Sequence, residues 1–260
     1  MRPSRRSLWQ AFALIIFPLR RRRRRWHRRR RGRWIVGRDA REEASMGARV
    51  MTRENPYPEG AGTGRVEYVD RNGKRVSVPE YMATDEFYDI PRPLYGAELV
   101  FGQLRVAENA PSLHHQSILG DLYLLLAPFV RERRLGNVWF APLSVTLDHR
   151  RRLVVQPDMF FISTQRMPSV TDRICVPPDL VIEVLSPSQR PSEVMERLRW
   201  FAEYDVRECW VVRQREQRTD VVKFEGGAVE TTVSIPWTDP LQSDVLPDFR
   251  PVLSPVLTQY

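Results

Sequence analysis

Leu153-Val154-Val155-Gln156-Pro157-Asp158-Met159-Phe160-Phe161-Ile162-Ser163, followed by Pro178-Asp179-Leu180-Val181-Ile182-Glu183-Val184-Leu185-Ser186, is the stretch that decides the fold. Each half sets one carboxylate, Asp158 or Glu183, inside an apolar run. The runs are short, rich in β-branched and aromatic residues, and bounded by Pro and charged turns, so they read as buried strands. A carboxylate in such a strand costs on the order of several kcal/mol unless a metal or a cation compensates it. Two of them, on two strands, ask for a common partner. A divalent metal is one answer, since magnesium takes hard oxygen ligands and commonly one or two carboxylates. An ion pair with one of the many arginines is the other.

The segments on either side read as a mixed α/β domain. Thr84 to Tyr88 opens a short helix with Thr84 as its cap, ended by Pro91 and Pro93. Ala97 to Val106 reads as a strand pair around Gly102. Ser112 to Arg134 is a helix: Leu119, Leu122, Tyr123, Leu126, Phe129 and Val130 recur at helical spacing, and Gly136 supplies a stop. Trp139–Leu147 and Leu153–Ile162 read as two strands of a hairpin turning at Asp148 to Arg152. Leu180–Leu185 is a strand, and a second helix fits Ser192 to Tyr204. Strands over Glu208–Arg213, Thr219–Phe224 and Val229–Ile235 follow, the last two joined by Gly226-Gly227. This order predicts one α/β domain with a mixed central sheet flanked by helices. Residues 52–66, rich in Pro, Gly and polar groups, read as linker.

Composition divides the chain in two. Residues 1–50 carry 17 Arg and three acids, a net charge of +14, whereas the remaining 210 residues carry 24 bases and 29 acids, a net of −5. The overall +9 thus describes the extension and not the body. Only Lys74 and Lys223 stand against 39 Arg. Cys175 and Cys209 form no C-x-x-C pair, which fits a reduced, cytoplasmic compartment.

Leu8 to Leu19 is a twelve-residue apolar run behind Arg2, Arg5 and Arg6, too short for a membrane span, which needs about 20 residues. Arg20–Arg25 and Arg28–Arg31 follow it without a small-residue cleavage site. The extension reads first as a disordered tail or an over-extended reading frame, with Met46 and Met51 as alternative starts. A basic arm on nucleic acid or an anchor on anionic membrane are the functional alternatives.

The Gln156-Pro157-Asp158 and Glu183-Val184-Leu185-Ser186-Pro187-Ser188 segments together resemble the Uma-two family of restriction-endonuclease-like proteins, within the PD-(D/E)XK nuclease superfamily. The resemblance extends back to Ala97–Leu104 and Pro111–Gln116, and forward to Val206–Val212 and Val245–Phe249. It covers roughly residues 80–257. It implies a restriction-endonuclease-like fold, DNA as substrate, phosphodiester hydrolysis, and pairing into a homodimer. It further implies that Asp158, Glu183 and the carbonyl of Val184 hold Mg²⁺ (or Mn²⁺), with Glu98 as an auxiliary acid. His115 matches a family histidine with either a phosphate-binding or a structural role.

The departures bear on activity. The superfamily lysine two positions after the Glu is Leu185 here, and the lysine that the family places on the following helix is Arg197. Gln189 and Glu193 replace a Thr and an Asp, Phe201 and Cys209 replace tyrosines, and Phe101 and Gln103 replace an acidic pair. Arg197 can place positive charge on a phosphorane but cannot exchange a proton near neutral pH. Two expectations stand side by side: a Mg²⁺-dependent DNA endonuclease using Glu98, Asp158, Glu183 and Arg197, and a catalytically degenerate nuclease fold that binds or scaffolds. The domain organisation expected is a basic extension over 1–50, a linker-like segment over 51–79 and the nuclease domain over 80–257. No other chemistry competes: Ser186 and Ser188 lack a G-x-S-x-G elbow, and four His and two Cys make no zinc spacing. Trp139, Trp200 and Trp210 read as core.

Overall fold

Alternation governs the centre of the molecule. A computed structural model of the chain describes residues 64–69, 75–90, 96–107, 110–186 and 189–257. The expectations for residues 1–50, Lys74, the Pro91/Pro93 helix stop and Pro187-Ser188 lie outside the described residues. Strands β5 (Gly136–Phe140), β8 (Met159–Ser163), β9 (Leu180–Leu185), β10 (Glu208–Arg213), β11 (Arg218–Glu225) and β12 (Ala228–Pro236) form one sheet in the order β12-β11-β10-β9-β8-β5. Only β9 and β10 run parallel, so the sheet is mixed. Residues one apart point to opposite faces. Met159, Phe161, Leu180, Ile182, Val184, Trp210 and Val212 therefore pack on one face beneath helix α2 (Leu113–Glu132) and the C-terminal segment ending in α4 (Ser254–Leu257). Phe160, Ile162, Val181, Cys209 and Val211 pack on the other, with Val194, Leu198, Trp200 and Phe201 of helix α3 (Pro191–Glu203).

A second sheet, β4-β3-β7-β6, joins β3 (Ala97–Val100), β4 (Gln103–Val106), β6 (Val145–Asp148) and β7 (Leu153–Val155). Here the structure corrects the sequence reading. The expected hairpin of Trp139–Leu147 and Leu153–Ile162 is four strands, broken at 141–144 and 156–158. Its outer parts pair as β5 with β8 in the large sheet, and its inner parts as β6 with β7 in the small one. Each break holds a proline, Pro142 or Pro157, which has no N–H for a ladder.

Inside the segment read as linker-like, β1 (Arg65–Val69) and β2 (Arg75–Pro79) form an antiparallel pair. Val66, Tyr68, Val76 and Val78 alternate there and pack against Leu99, Leu104 and Val154. A reading keyed to Pro and Gly passed over that period. Helix α1 (Thr84–Asp89) is capped differently from expectation: Ala83 is the N-cap, and Glu86 reaches back to accept its N–H at 2.6 Å. Thr84 instead donates its hydroxyl to the carbonyl of His149 at 2.9 Å. Trp200 and Trp210 are buried, while Trp139 is half-buried and stacks on Phe160.

Candidate active site

The break at 156–158 and the strand that follows set up the site. β8 and β9 are antiparallel with Met159 opposite Ile182. Just past the end of that ladder Asp158 lies near Glu183, which Arg197 reaches from α3. Asp158 is fixed by its neighbour strand: the Val184 N–H donates to its Oδ2 at 2.8 Å. Its own carbonyl accepts from the Ala141 N–H at 3.0 Å. Glu98 comes from the small sheet, where β3 pairs with β7, and its Oε1 accepts from the Gln156 N–H at 2.8 Å.

Arg197 reaches across from α3 and ties two of these acids together. Its Nη1 donates to Glu98 at 2.7 and 2.9 Å, and its Nε and Nη2 donate to Glu183 Oε1 at 3.1 and 2.7 Å. All three side chains are largely buried. Burial opposes the Arg197 charge, but the two carboxylates outweigh it and hold the guanidinium more firmly protonated than usual. Phe201 lies beneath it, 5.6 Å from guanidinium to ring centre.

His115 enters from the other helix. Ser112 caps α2 by accepting the His115 N–H at 3.1 Å, which fixes His115 in the first turn on the buried side. Its Nε2 stands 3.3 Å from Asp158 Oδ1. Burial disfavours the imidazolium, yet the hydrogen bond and charge of Asp158, the charge of Glu183 and a hydrogen bond to Val184 raise its pKa.

One guanidinium does not balance three carboxylates. Glu183 shows it: burial first, then the charges of Asp158 and Glu98, push its carboxyl up to about 7 despite the opposing pull of Arg197. Glu98 spends both oxygens on Arg197 and Gln156. A cation would take Glu183 Oε2, together with Asp158 Oδ1 and the Val184 carbonyl, both of which His115 now engages. Among the described residues no group of three or more His, Cys, Asp or Glu side chains is arranged as a metal site. A two-carboxylate, one-carbonyl set completed by water is a donor set that magnesium tolerates.

The structure thus brings together Glu98, Asp158, Glu183, Val184 and Arg197, all singled out from sequence. It adds His115 as a direct partner of Asp158. The signal was present, since Ser112-x-x-His115 puts the imidazole in line with the buried Leu119 and Leu122. Gln156 was quoted only as a neighbour of Asp158. Its backbone N–H holds Glu98, its Nε2 donates to Ser144 Oγ at 3.2 Å, and its Oε1 is buried without a hydrogen-bond partner.

Several departures from the family pattern have other employment. Glu193 caps α3, accepting from the backbone N–H and the Nε of Arg190. Gln103 donates to Glu80, and Phe101 packs edge-on against Trp200. Cys209 is fully buried, and burial with the nearby Glu183 charge raises its thiol well above its ordinary range. It is no nucleophile. Lys223 pairs with Asp244 on a distal strand. Outside the site, Arg151 is bound to Glu203 and Tyr204, while Arg131, Arg133 and Arg134 are exposed on α2 and the turn after it. No helix among the described residues is long and apolar enough to cross a membrane.

Comparison with known proteins places the chain. Residues 84–256 match the model of the Uma2 family, described as "Putative restriction endonuclease". No curated protein matches. Among solved structures, the chain resembles a crystal structure from Anabaena variabilis described as a "putative nuclease". The TM-score is 0.59 at 17% identity, and the likeness covers 68% of this chain and 98% of that one. That likeness is one of fold: the restriction-endonuclease-like arrangement of a mixed sheet between helices.

Proposed function

The chain belongs to the Uma2 family, and from that premise we propose that it is a divalent-metal-dependent DNA endonuclease hydrolysing phosphodiester bonds at the corner between β8, β9 and α3. The observation that carries this reading is geometric: Glu98 and Glu183 converge on the single guanidinium of Arg197, with Asp158 fixed beside them by the Val184 N–H. Asp158 and Glu183, with the Val184 carbonyl, would hold Mg²⁺ or Mn²⁺. When bound, such an ion supplies an acidified water and stabilises charge on a phosphoryl oxygen. Asp158 is pre-aimed by the Val184 N–H and by His115. Glu98 holds Arg197 in place, and Arg197 keeps one positive charge beside the scissile phosphate without taking part in proton transfer.

The test is cleavage of supercoiled plasmid and of single-stranded DNA by the full chain in Mg²⁺ or Mn²⁺. Nicking that disappears in Asp158→Ala and Glu183→Ala supports the proposal. Equal nicking by those variants assigns it to a contaminant.

A second reading is favoured by one feature. Nε, Nη1 and Nη2 of Arg197 all donate to carboxylates, so little of the guanidinium is left to face a phosphate. This is the geometry of a structural tie, as in a degenerate nuclease fold that binds or scaffolds. Arg197→Lys separates the two. A rise in cleavage identifies an otherwise intact site; no cleavage in either form, with no Mg²⁺ binding by calorimetry, favours the scaffold.

A further inference from the structure

Three large apolar side chains on α2 and β5 are the most exposed to solvent among the described residues. Leu113 is 85% exposed, Leu124 70% and Phe140 51%. Leu113 and Leu124 lie on the outer face of α2, with Gly120 between them and Arg131 two turns beyond Leu124. A Cβ at Gly120 would meet nothing within 4 Å, so the helix backbone is bare there. Phe140, the last residue of β5, stands beside this face with its ring edge-on to Tyr123, 5.2 Å between centres. Tyr123 in turn accepts a hydrogen bond from Arg131 at 3.2 Å.

The surface adjoins the site. Phe140 pairs with Met159, the residue after Asp158, and the N–H of Ala141 bonds the Asp158 carbonyl. His115, two residues beyond Leu113, touches Asp158. The charge pattern also selects an occupant. In a body of net charge −5, this strip carries Arg131, and of the acids flanking it on the helix Asp121 keeps one carboxyl oxygen buried while Glu132 lies against Arg133. An exposed aromatic ring, bare backbone and a terminal arginine, one ladder step from a phosphodiester-cleaving corner, match the chemistry of an unpaired nucleobase. Every base offers a π-face to an aromatic ring, while its phosphate needs a cation.

We propose that Phe140, buttressed by Tyr123, is a stacking platform for an unpaired base of the nucleic acid, so that the preferred substrate is single-stranded or frayed DNA. The proposal rests on the nuclease reading above and names its substrate class.

The test uses the full chain in EDTA, so that nothing is cut, at raised salt to quieten the basic extension. The probe is a single-stranded oligonucleotide containing 2-aminopurine, with a blunt duplex of equal length for comparison. Stacking on Phe140 quenches the 2-aminopurine fluorescence on binding. Phe140→Ala is expected to abolish the quench and weaken single-strand binding about tenfold, or about 1.4 kcal/mol, with duplex binding changed less than twofold. Phe140→Leu, which keeps an apolar side chain of similar size, is expected to behave like Ala, and Phe140→Trp like the parent. Single-strand affinity within twofold of the parent in both Ala and Leu variants overturns the platform and leaves the nuclease reading standing. Absence of binding to either DNA overturns both. Unchanged DNA binding with loss of a dimer in sedimentation assigns the face to a second copy of this chain and overturns the platform.

Discussion

The salt-bridged acids dominate at the scale of single residues. Removing Arg197 leaves Glu98 and Glu183 buried without their cation, and breaking a buried pair in this way costs about 3–5 kcal/mol. Arg197→Ala is therefore expected to lower the urea midpoint sharply, whereas Arg197→Gln, which keeps hydrogen-bond donors, recovers part of the loss. Glu183 also gives stability a pH dependence of definite sign. With its carboxyl raised from 4.5 to about 7 in the folded chain, it holds a proton that the unfolded chain has released. Its contribution is fully favourable below about pH 4.5 and is lost as pH rises through 7, up to about 3 kcal/mol. Comparing urea midpoints at pH 5 and pH 8, Glu183→Gln should remove that difference; an unchanged difference would place the titration elsewhere. Residue identity was the most legible level of the sequence. Asp158 and Glu183 could be picked out because a charge inside an apolar run is conspicuous, whereas Glu98 and Arg197 were marked by the family resemblance. The direction in which Arg197 points was not legible, because it depends on a contact between residues 99 positions apart.

Secondary-structure elements are written less evenly. β9 and β10 match the sequence reading residue for residue, and the helix expected over Ser112–Arg134 is Leu113–Glu132 with Ser112 as its cap. Apolar period and cap chemistry are local, so such elements can be read locally. The four strands from β5 to β8 could not, because pairing across two sheets is a tertiary choice that a pattern of hydrophobic residues does not encode. Two glycines separate these cases experimentally. Gly120 faces open solvent in mid-helix, so Gly120→Ala should stabilise the chain by about 0.5–1 kcal/mol through helix propensity alone. Gly136 opens β5 at φ +155°, and a Cβ there would lie 2.0 Å from the Ile162 carbonyl oxygen. Gly136→Ala should accordingly disrupt the β5–β8 pairing and lower the melting temperature. Thermal denaturation of the two variants side by side, with shifts of opposite sign, is the expected result.

For the molecule as a whole, the two faces of the six-stranded sheet carry the large cores, while β1 and β2 rest on a smaller cluster under the second sheet. Hydrogen exchange should therefore release the amides of β1 and β2 first and those of β8, β9 and β10 last. Buried ties hold the sheet's other end: Asp179 accepts from the Ser163 N–H at 2.7 Å and faces Arg166 and Arg207, and Arg166 also binds the carbonyls of Pro177, Pro178 and Asp205. Arg197 carries a consequence that reaches beyond its corner. Small metal-dependent domains stay unfolded until their ion arrives, because nothing else can gather their ligands. This chain ships its own substitute, covalently attached and present from synthesis. Its folding schedule is thus uncoupled from the metal supply, and the chelated chain should still fold and melt cooperatively, with a bound ion adding only its own linkage to the melting temperature. An incoming ion is then a late tenant that must share its acids with a resident, never the keystone on which the arch was raised.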